Sequence, residues 1–286
     1  MSEQIQVVNV FGPGSQPSEQ DGALLQYPIM PSEMSTYRPP EMPSLEGFGG
    51  TRAALDWLAR ALDACVVEGR SAIASLDGLG PDDRNLLNQV LGEGEVSVRL
   101  HAQPGARSQE SILAGVWRSL YVDEHGRMLH DLLEVGAAPE YLELASQPRV
   151  EAFAAPPPGP QAINAPPIVT ELIDRSANCR PGDLPHVLNL TLLPMTDEDL
   201  AYLDAALGMG PVDALSRSYG RCHIQSTLLP NVWWVRYFNS MQKLILNTIE
   251  VVSVPAVLCA APEDLRDSRE RLAALLEPYA TDLTDD

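Results

Sequence analysis

The chain has 286 residues, of which 45% are hydrophobic, so it can bury one large core or two smaller ones. Its 39 acidic and 19 basic residues give a net charge of −20, which disfavours nucleic acid and anionic membrane as partners and favours a basic protein segment. Solubility alone explains the acidity equally well. An apolar run of about 18 residues is absent, so no membrane insertion is predicted. The opening "MSEQIQVVNVFGPGSQ" lacks the basic stretch of an export signal, which predicts a cytoplasmic protein.

The first half begins with a segment of low periodicity. Residues 1–49 are predicted to be extended, because the stretch from 11 to 49 is rich in Pro, Gly, Ser and Glu. A first α+β unit is predicted at 50–150. It opens with "TRAALDWLARALDACVVEG", whose apolar spacing indicates a helix with Thr51 as its N-cap. Further along, "SAIASL" and "VSVRL" indicate strands and "GPDDRNLLNQVLG" a helix.

The second half follows a proline-rich stretch, "AAPPPGPQAINAPP", which predicts a stiff linker at 151–167 and a second α+β unit at 168–286. Helices are indicated by "PPIVTELIDRSAN", by "MTDEDLAYLDAALG" and by the C-terminal "PEDLRDSRERLAALLEPYA". In the second of these, Thr196 is predicted to be the N-cap and Gly208 to end the helix. Strands are indicated by "HVLNLTL", "VDALSRS", "HIQSTL", "VWWVRYF" and "KLILNTIEVV".

The two units repeat each other at an offset of 116 residues. The stretch "LGEGEV" at 91–96 recurs as "LGMGPV" at 207–212, and the ungapped comparison of 71–145 with 187–261 gives 17 identities in 75 positions. Such agreement without a gap is hard to obtain by chance. We therefore predict an α+β fold that arose by tandem duplication of one α+β unit, with a mainly antiparallel sheet and a pseudo-two-fold relation between the copies.

The aromatic run "VWWVRYF" is read as a strand, in which alternate side chains share a face. Trp233 and Tyr237 then point to one face, and both recur in the first copy as Trp117 and Tyr121. Residues kept in both copies most simply serve the shared fold, so these four are predicted to be structural core. A helix would also place Trp233 beside Tyr237, and this alternative stays open.

The opposite face of that strand differs between the copies, as does the preceding loop. The second copy has Trp, Arg and Phe where the first has Arg, Leu and Val, and Trp and Arg are common anchors of protein interfaces. The alternatives are that this face packs against a helix or the other copy, and that the loop is only solvated. The predicted partner-binding residues are Arg217, Tyr219, Arg221, Cys222, Trp234, Arg236 and Phe238.

Catalytic and metal-binding signatures are absent from the sequence. There is no glycine-rich phosphate motif, no nucleophile elbow and no zinc-protease motif. The four cysteines are widely spaced without a CxxC pair, so neither disulfides nor a metal site is predicted. Cys222 and His223 are adjacent, but neighbours on a strand point to opposite faces and do not readily form a nucleophile and base. We predict a protein that is not an enzyme and needs no cofactor.

The block at 184–268, which includes "LPHVLNLTLLPMTDEDLAYLDAALGMGPVDALSRSYGRCHIQSTLLPNVWWVRYFNSMQ", resembles the HupH/HyaF/HoxQ family of hydrogenase expression and formation proteins. The early "GPGSQ" and "YPIMPSEMSTYRPPEMP" are also similar to that family, and the likeness extends over nearly the whole chain. The family carries its conserved region twice, which agrees with the duplication.

The resemblance implies an assembly factor for an uptake [NiFe]-hydrogenase. Its partner would be the immature, signal-peptide-bearing small subunit, bound before twin-arginine export, and a thioredoxin-like companion chaperone is also implied. A second hypothesis is a redox or iron–sulfur handling factor in the same pathway that uses Cys222 and Cys259. The lack of a CxxC pair favours the first hypothesis.

Overall fold

A computed structural model of the protein describes residues 45–145, 155–218 and 220–278. The fold is α+β, with a large antiparallel sheet. The described strands are β1 (Ala72–Ser75), β2 (Val96–Leu100), β3 (Gly105–Glu110), β4 (Val116–Val122), β5 (Met128–Val135), β6 (His186–Asn189), β7 (Val212–Ser216), β8 (Arg221–Ser226), β9 (Val232–Phe238) and β10 (Leu244–Val251). The described helices are α1 (Gly49–Glu68), α2 (Pro81–Leu91), α3 (Tyr141–Ala145), α4 (Ala165–Asn178), α5 (Asp197–Leu207) and α6 (Pro262–Leu276).

The ten strands form one sheet in the order β1-β5-β4-β3-β2-β7-β8-β9-β10-β6. The two halves of the chain therefore meet at the centre, where β2 pairs with β7. Val98 lies directly opposite Ala214, the residue 116 positions later. Strands β2 to β5 and helix α2 recur at the same offset as β7 to β10 and α5. These positions are consistent with a duplication. The division into units at 50–150 and 168–286 stays a prediction.

Five of the described helices lie on one face of the sheet, and within the described residues they pack on its outer strands rather than on its centre. Helices α1, α2 and α6 form a core with Val116, Leu133 and Val135 of the outer strands in the first half. Helices α4 and α5 form a second core with the outer strands of the other half, including Ile249 and Val251. A third core occupies the opposite face, where α3 and the segment around residues 252–258 cover it. No helix in the described part of the chain is long and apolar enough to cross a bilayer.

The repeated glycine motif has a steric explanation. Gly92 and Gly208 end α2 and α5 with φ angles of +56° and +59°, a region that other residues rarely adopt. Two residues later, a Cβ at Gly94 or Gly210 would overlap the backbone carbonyl of the facing strand end, at Ser111 or Thr227. Both turns from helix to central strand therefore require glycine.

The helix starts differ from prediction at two points. Thr196 caps α5, and Asp199 completes a capping box. Thr51, in contrast, lies inside the first turn of α1, and its hydroxyl and backbone amide both donate to Asp83 of α2. Helix α4 begins at Ala165, so its first turn includes two prolines of the predicted linker. Proline fits there because the first helical amides have no intrahelical acceptor.

Candidate partner-binding surface

The repeated aromatic residues pack on the face opposite the large helices. Trp117 and Trp233 are fully buried, and each indole N–H donates to a backbone carbonyl of the segment after the next strand. Tyr121 and Tyr237 are half-buried against the same core, and desolvation by burial raises the pKa of each to about 12. The four residues thus occupy matching places in the two halves of the sheet.

Trp234 lies on the helix face, but it is only 7% exposed. It packs in the core beneath α4 and α5, and its indole N–H donates to Asn247 Oδ1 at 2.6 Å. This corrects the prediction that Trp234 is exposed to a partner. The corresponding residues of the first half, Arg118 and Asp131, also form a bonded pair, with Nε–Oδ1 and Nη2–Oδ2 distances of 2.9 and 2.7 Å. The second half thus has a Trp234–Asn247 pair where the first half has an Arg118–Asp131 pair. This exchange accounts for the tryptophan at position 234 without a role in binding another protein.

The prediction that Cys222 binds a partner is also corrected. Cys222 is only 1% exposed, and it lies in the core that contains Trp117 and Trp233, on the face of the sheet opposite to Trp234. Desolvation by burial raises the pKa of the Cys222 thiol to about 12 and that of Cys259 to about 11. Both side chains are therefore protonated near pH 7, where thiolates are needed for redox chemistry or metal binding. Within the described ranges, no group of three or more His, Cys, Asp or Glu residues could hold a metal ion.

The other predicted residues are more accessible. Arg217 and Arg221 are exposed, and Phe238 lies directly opposite Arg221 in the register of β8 and β9. Tyr219 lies outside the described residues. Arg236 is half-buried, and desolvation lowers its pKa. Its guanidinium donates to Gln225 Oε1 at 3.0 Å. It also lies over the Trp234 ring, 5.0 Å from the ring centroid, so a cation–π contact with Trp234 stabilises the position of Arg236.

A larger surface runs across the helix face of the four central strands, between the two groups of helices. Its side chains are exposed or half-buried, and none of them belongs to the three hydrophobic cores. We call this surface the central strip. Its members are Ser97, Arg99, Arg107, Gln109, Asp213, Leu215, His223 and Gln225. Arg118 and Arg236 flank the strip on β4 and β9.

The charge of the strip is opposite to that of the whole chain. Arg99 and Arg107 are exposed, whereas Asp213 is bonded to His223 at 2.5 Å. The partner-binding residues predicted from the sequence include neither arginine. Alternation within "VSVRL" and "GARSQE" places them on the face shared with Arg118, and this signal could have identified them.

A cleft of about 800 Å³ lies beside the start of β2, and most of its charged lining residues are acidic. Glu93, Glu95 and Asp264 line it together with Arg217. Glu110 also contributes, and desolvation by burial raises the pKa of its carboxyl group. Arg217 therefore belongs to an acidic cleft, while Arg221 and Arg236 lie on the basic face of the sheet.

Comparison with known proteins links this architecture to one family. The family model "HupH hydrogenase expression protein, C-terminal conserved region" matches twice, at residues 51–153 and 162–279. The chain is 42% identical to the hydrogenase expression/formation protein HoxQ of Cupriavidus necator, over 94% of this chain and 96% of that protein. It is 42% identical to HupH of Rhodobacter capsulatus, covering 93% and 95% of the two chains. The hydrogenase-1 operon protein HyaF of Escherichia coli is 32% identical over 94% and 95%. A solved structure of the hydrogenase expression protein HupH from Thiobacillus denitrificans covers 40% of this chain and 96% of that chain, with 27% identity and a TM-score of 0.38.

Proposed function

The chain belongs to the HupH hydrogenase expression protein family, and on this premise we propose that it is a chaperone for the assembly of an uptake [NiFe]-hydrogenase. The observation that carries the proposal is the similarity to hydrogenase expression/formation proteins along almost the entire length of both chains. A role in hydrogenase maturation follows from it. The client that we propose is the immature small subunit, bound in the cytoplasm before its export by the twin-arginine route.

Recognition by surface contacts, rather than catalysis, is the mode of action that we propose. The described residues offer a broad basic strip and an acidic cleft, both of which suit reversible protein contacts. Opposite charges on two surfaces allow one client to be held at two sites, an acidic segment on the strip and a basic leader near the cleft. The cleft adjoins one end of the strip, because Gln109 of the strip donates to the carbonyl oxygens of Gly94 and Val96, which line the cleft. A thioredoxin-like companion is the second partner that we propose.

The redox alternative receives less support from the structure. It requires reactive thiols, whereas burial keeps the Cys222 and Cys259 thiols protonated at neutral pH. Cys222 is also closed to a partner, being 1% exposed. A Cys222→Ser variant is therefore expected to support maturation as well as the unaltered chain does. Loss of hydrogenase activity in a variant that remains folded would favour the redox alternative.

The proposed function is tested in the native host by an in-frame deletion of the encoding gene. We expect loss of hydrogenase activity together with accumulation of small-subunit precursor, while the large subunit is still synthesised. Complementation with the full chain should restore both readouts. Normal processing of the small subunit in the deletion strain would overturn the proposal.

We also propose that the two halves are related by a local pseudo-two-fold axis between Val98 and Ala214. The register of β2 and β7 supports it. Val96 faces Ser216 and Leu100 faces Val212, and a two-fold axis with the offset of 116 residues converts the first pair into the second. The order of the ten strands, which reads the same from either edge once the halves are exchanged, supports it as well. In an experimental structure, superposing 71–145 on 187–261 should require a rotation of about 180°. A very different rotation would exclude the axis.

A further inference from the structure

The central strip has an unusual charge arrangement for an exposed sheet face. Arg99 of β2 lies directly opposite Arg107 of β3, and both side chains are exposed. Neither forms a salt bridge within the described part of the chain. Like charges opposite each other on neighbouring strands destabilise a sheet. An anion bound beside both guanidinium groups would relieve this repulsion.

The carboxylates nearest to this pair also bond to other basic side chains. Asp213 faces Arg99 from β7, but its carboxylate is bonded to His223. Asp131, in the same cross-strand row as Arg107, is fully buried and forms ion pairs with Arg118 and Arg84 at 2.7 and 3.2 Å. The acidic groups nearest in the register are thus already engaged, and Arg99 and Arg107 keep their capacity to bind carboxylates.

The shape of the strip also fits a protein segment. Four central strands at the usual spacing give a width of about 19 Å, and helices packed on the outer strands form its walls. An α-helix with side chains is about 10–12 Å across, so a single helix or extended segment fits between the walls. Arg236 lies at one margin, and its buried Nε has no hydrogen-bond acceptor among the described residues.

We propose that the central strip binds an acidic segment of a partner protein, with its carboxylates beside Arg99 and Arg107. Charge complementarity supports an acidic protein segment over nucleic acid, because the net charge of −20 would repel the long phosphate backbone outside the strip. The proposal rests on the proposed function, since the partner would be the immature hydrogenase small subunit.

The test measures binding of a fluorescein-labelled helical peptide of about 20 residues, built from Glu-Ala-Ala-Ala repeats, to the full chain. A matched peptide with Gln in place of Glu and a single-stranded DNA of about 20 nucleotides are measured beside it. The strip variant is Arg99→Gln with Arg107→Gln. The control variant is Arg60→Gln with Arg175→Gln, which removes the same charge from exposed positions on α1 and α4.

We expect the strip variant to bind the acidic peptide about tenfold more weakly at low salt, and the control variant to change affinity by less than about twofold. The difference should shrink at about 0.5 M salt. The strip variant should unfold at the same temperature as the unaltered chain or slightly higher, because a repulsive pair is removed. Unchanged peptide binding, an equal loss in the control variant, binding of the Gln peptide with equal affinity, or tighter binding of the DNA would each overturn the proposal.

This test separates the inference from the proposed function. If the peptide result is negative but deletion of the gene still blocks maturation, the strip assignment fails and the proposed function stands. If the peptide binds through Arg99 and Arg107 but maturation is normal without the protein, the proposed function fails and the binding site stands.

Discussion

Trp234 provides the sharpest structural prediction, because the sequence and the structure assign it opposite roles. Its indole lies beneath α4 and α5 with 7% of its surface exposed, and its N–H donates to Asn247. Truncation to alanine removes a large buried ring, which costs about 3–5 kcal/mol of unfolding free energy. It also leaves the Asn247 amide oxygen without its donor, which costs roughly 1–3 kcal/mol more where no water enters.

We therefore expect Trp234→Ala to lower the free energy of unfolding by about 4 kcal/mol or more, a large part of the roughly 5–15 kcal/mol of a typical domain. The measurement is urea denaturation followed by far-ultraviolet circular dichroism. Trp234→Phe is the matched variant, which keeps most of the ring but loses the N–H, so a loss of about 1–3 kcal/mol is expected. A loss below about 1 kcal/mol for Trp234→Ala would refute the assignment of Trp234 to the core.

Three further perturbations test other parts of the fold. Asp131→Ala should cost about 3 kcal/mol, because it leaves Arg84 and Arg118 without their buried carboxylate, and a loss below about 1 kcal/mol by urea denaturation would contradict this. Gly210→Ala should cost about 1–3 kcal/mol because its Cβ would overlap a carbonyl, while Gly78→Ala, with open space around it, should be nearly neutral in the same assay. Glu110→Gln tests the raised pKa of the Glu110 carboxyl group. Because that pKa is higher in the native state than in the unfolded state, the native state holds the carboxyl proton more tightly. The unaltered chain should therefore lose stability relative to the variant as pH rises from about 4 to 7. A difference in melting temperature that does not vary with pH would rule out this assignment.

The repeat made the order of elements predictable from the sequence. Because of the offset of 116 residues, each repeated strand could be predicted from two stretches of sequence. The structure places β2 to β5 and β7 to β10 at this spacing. Local signals were sufficient for Thr196, because a capping box depends only on residues three apart. They were insufficient for Thr51, whose partner Asp83 lies 32 residues away.

The candidate surface was harder to predict, for a physical reason. Alternation shows which side chains share a face, but it does not show whether a helix covers that face. Trp234 and Arg99 lie on the same side of one sheet, yet α4 and α5 bury the first while the second is exposed. The difference depends on the strand order, which puts β2 at the centre of the sheet and β9 near its edge. Long-range pairing of this kind leaves no pattern within a single segment.

The central claim is that this protein binds the immature hydrogenase small subunit, and direct titration tests it. The purified full chain would be titrated calorimetrically with the signal-peptide-bearing small subunit, and separately with the assembled hydrogenase. We predict a dissociation constant of about 1 μM or lower for the precursor and no measurable heat for the assembled enzyme. Equal binding to both, or no binding to the precursor, would contradict the account.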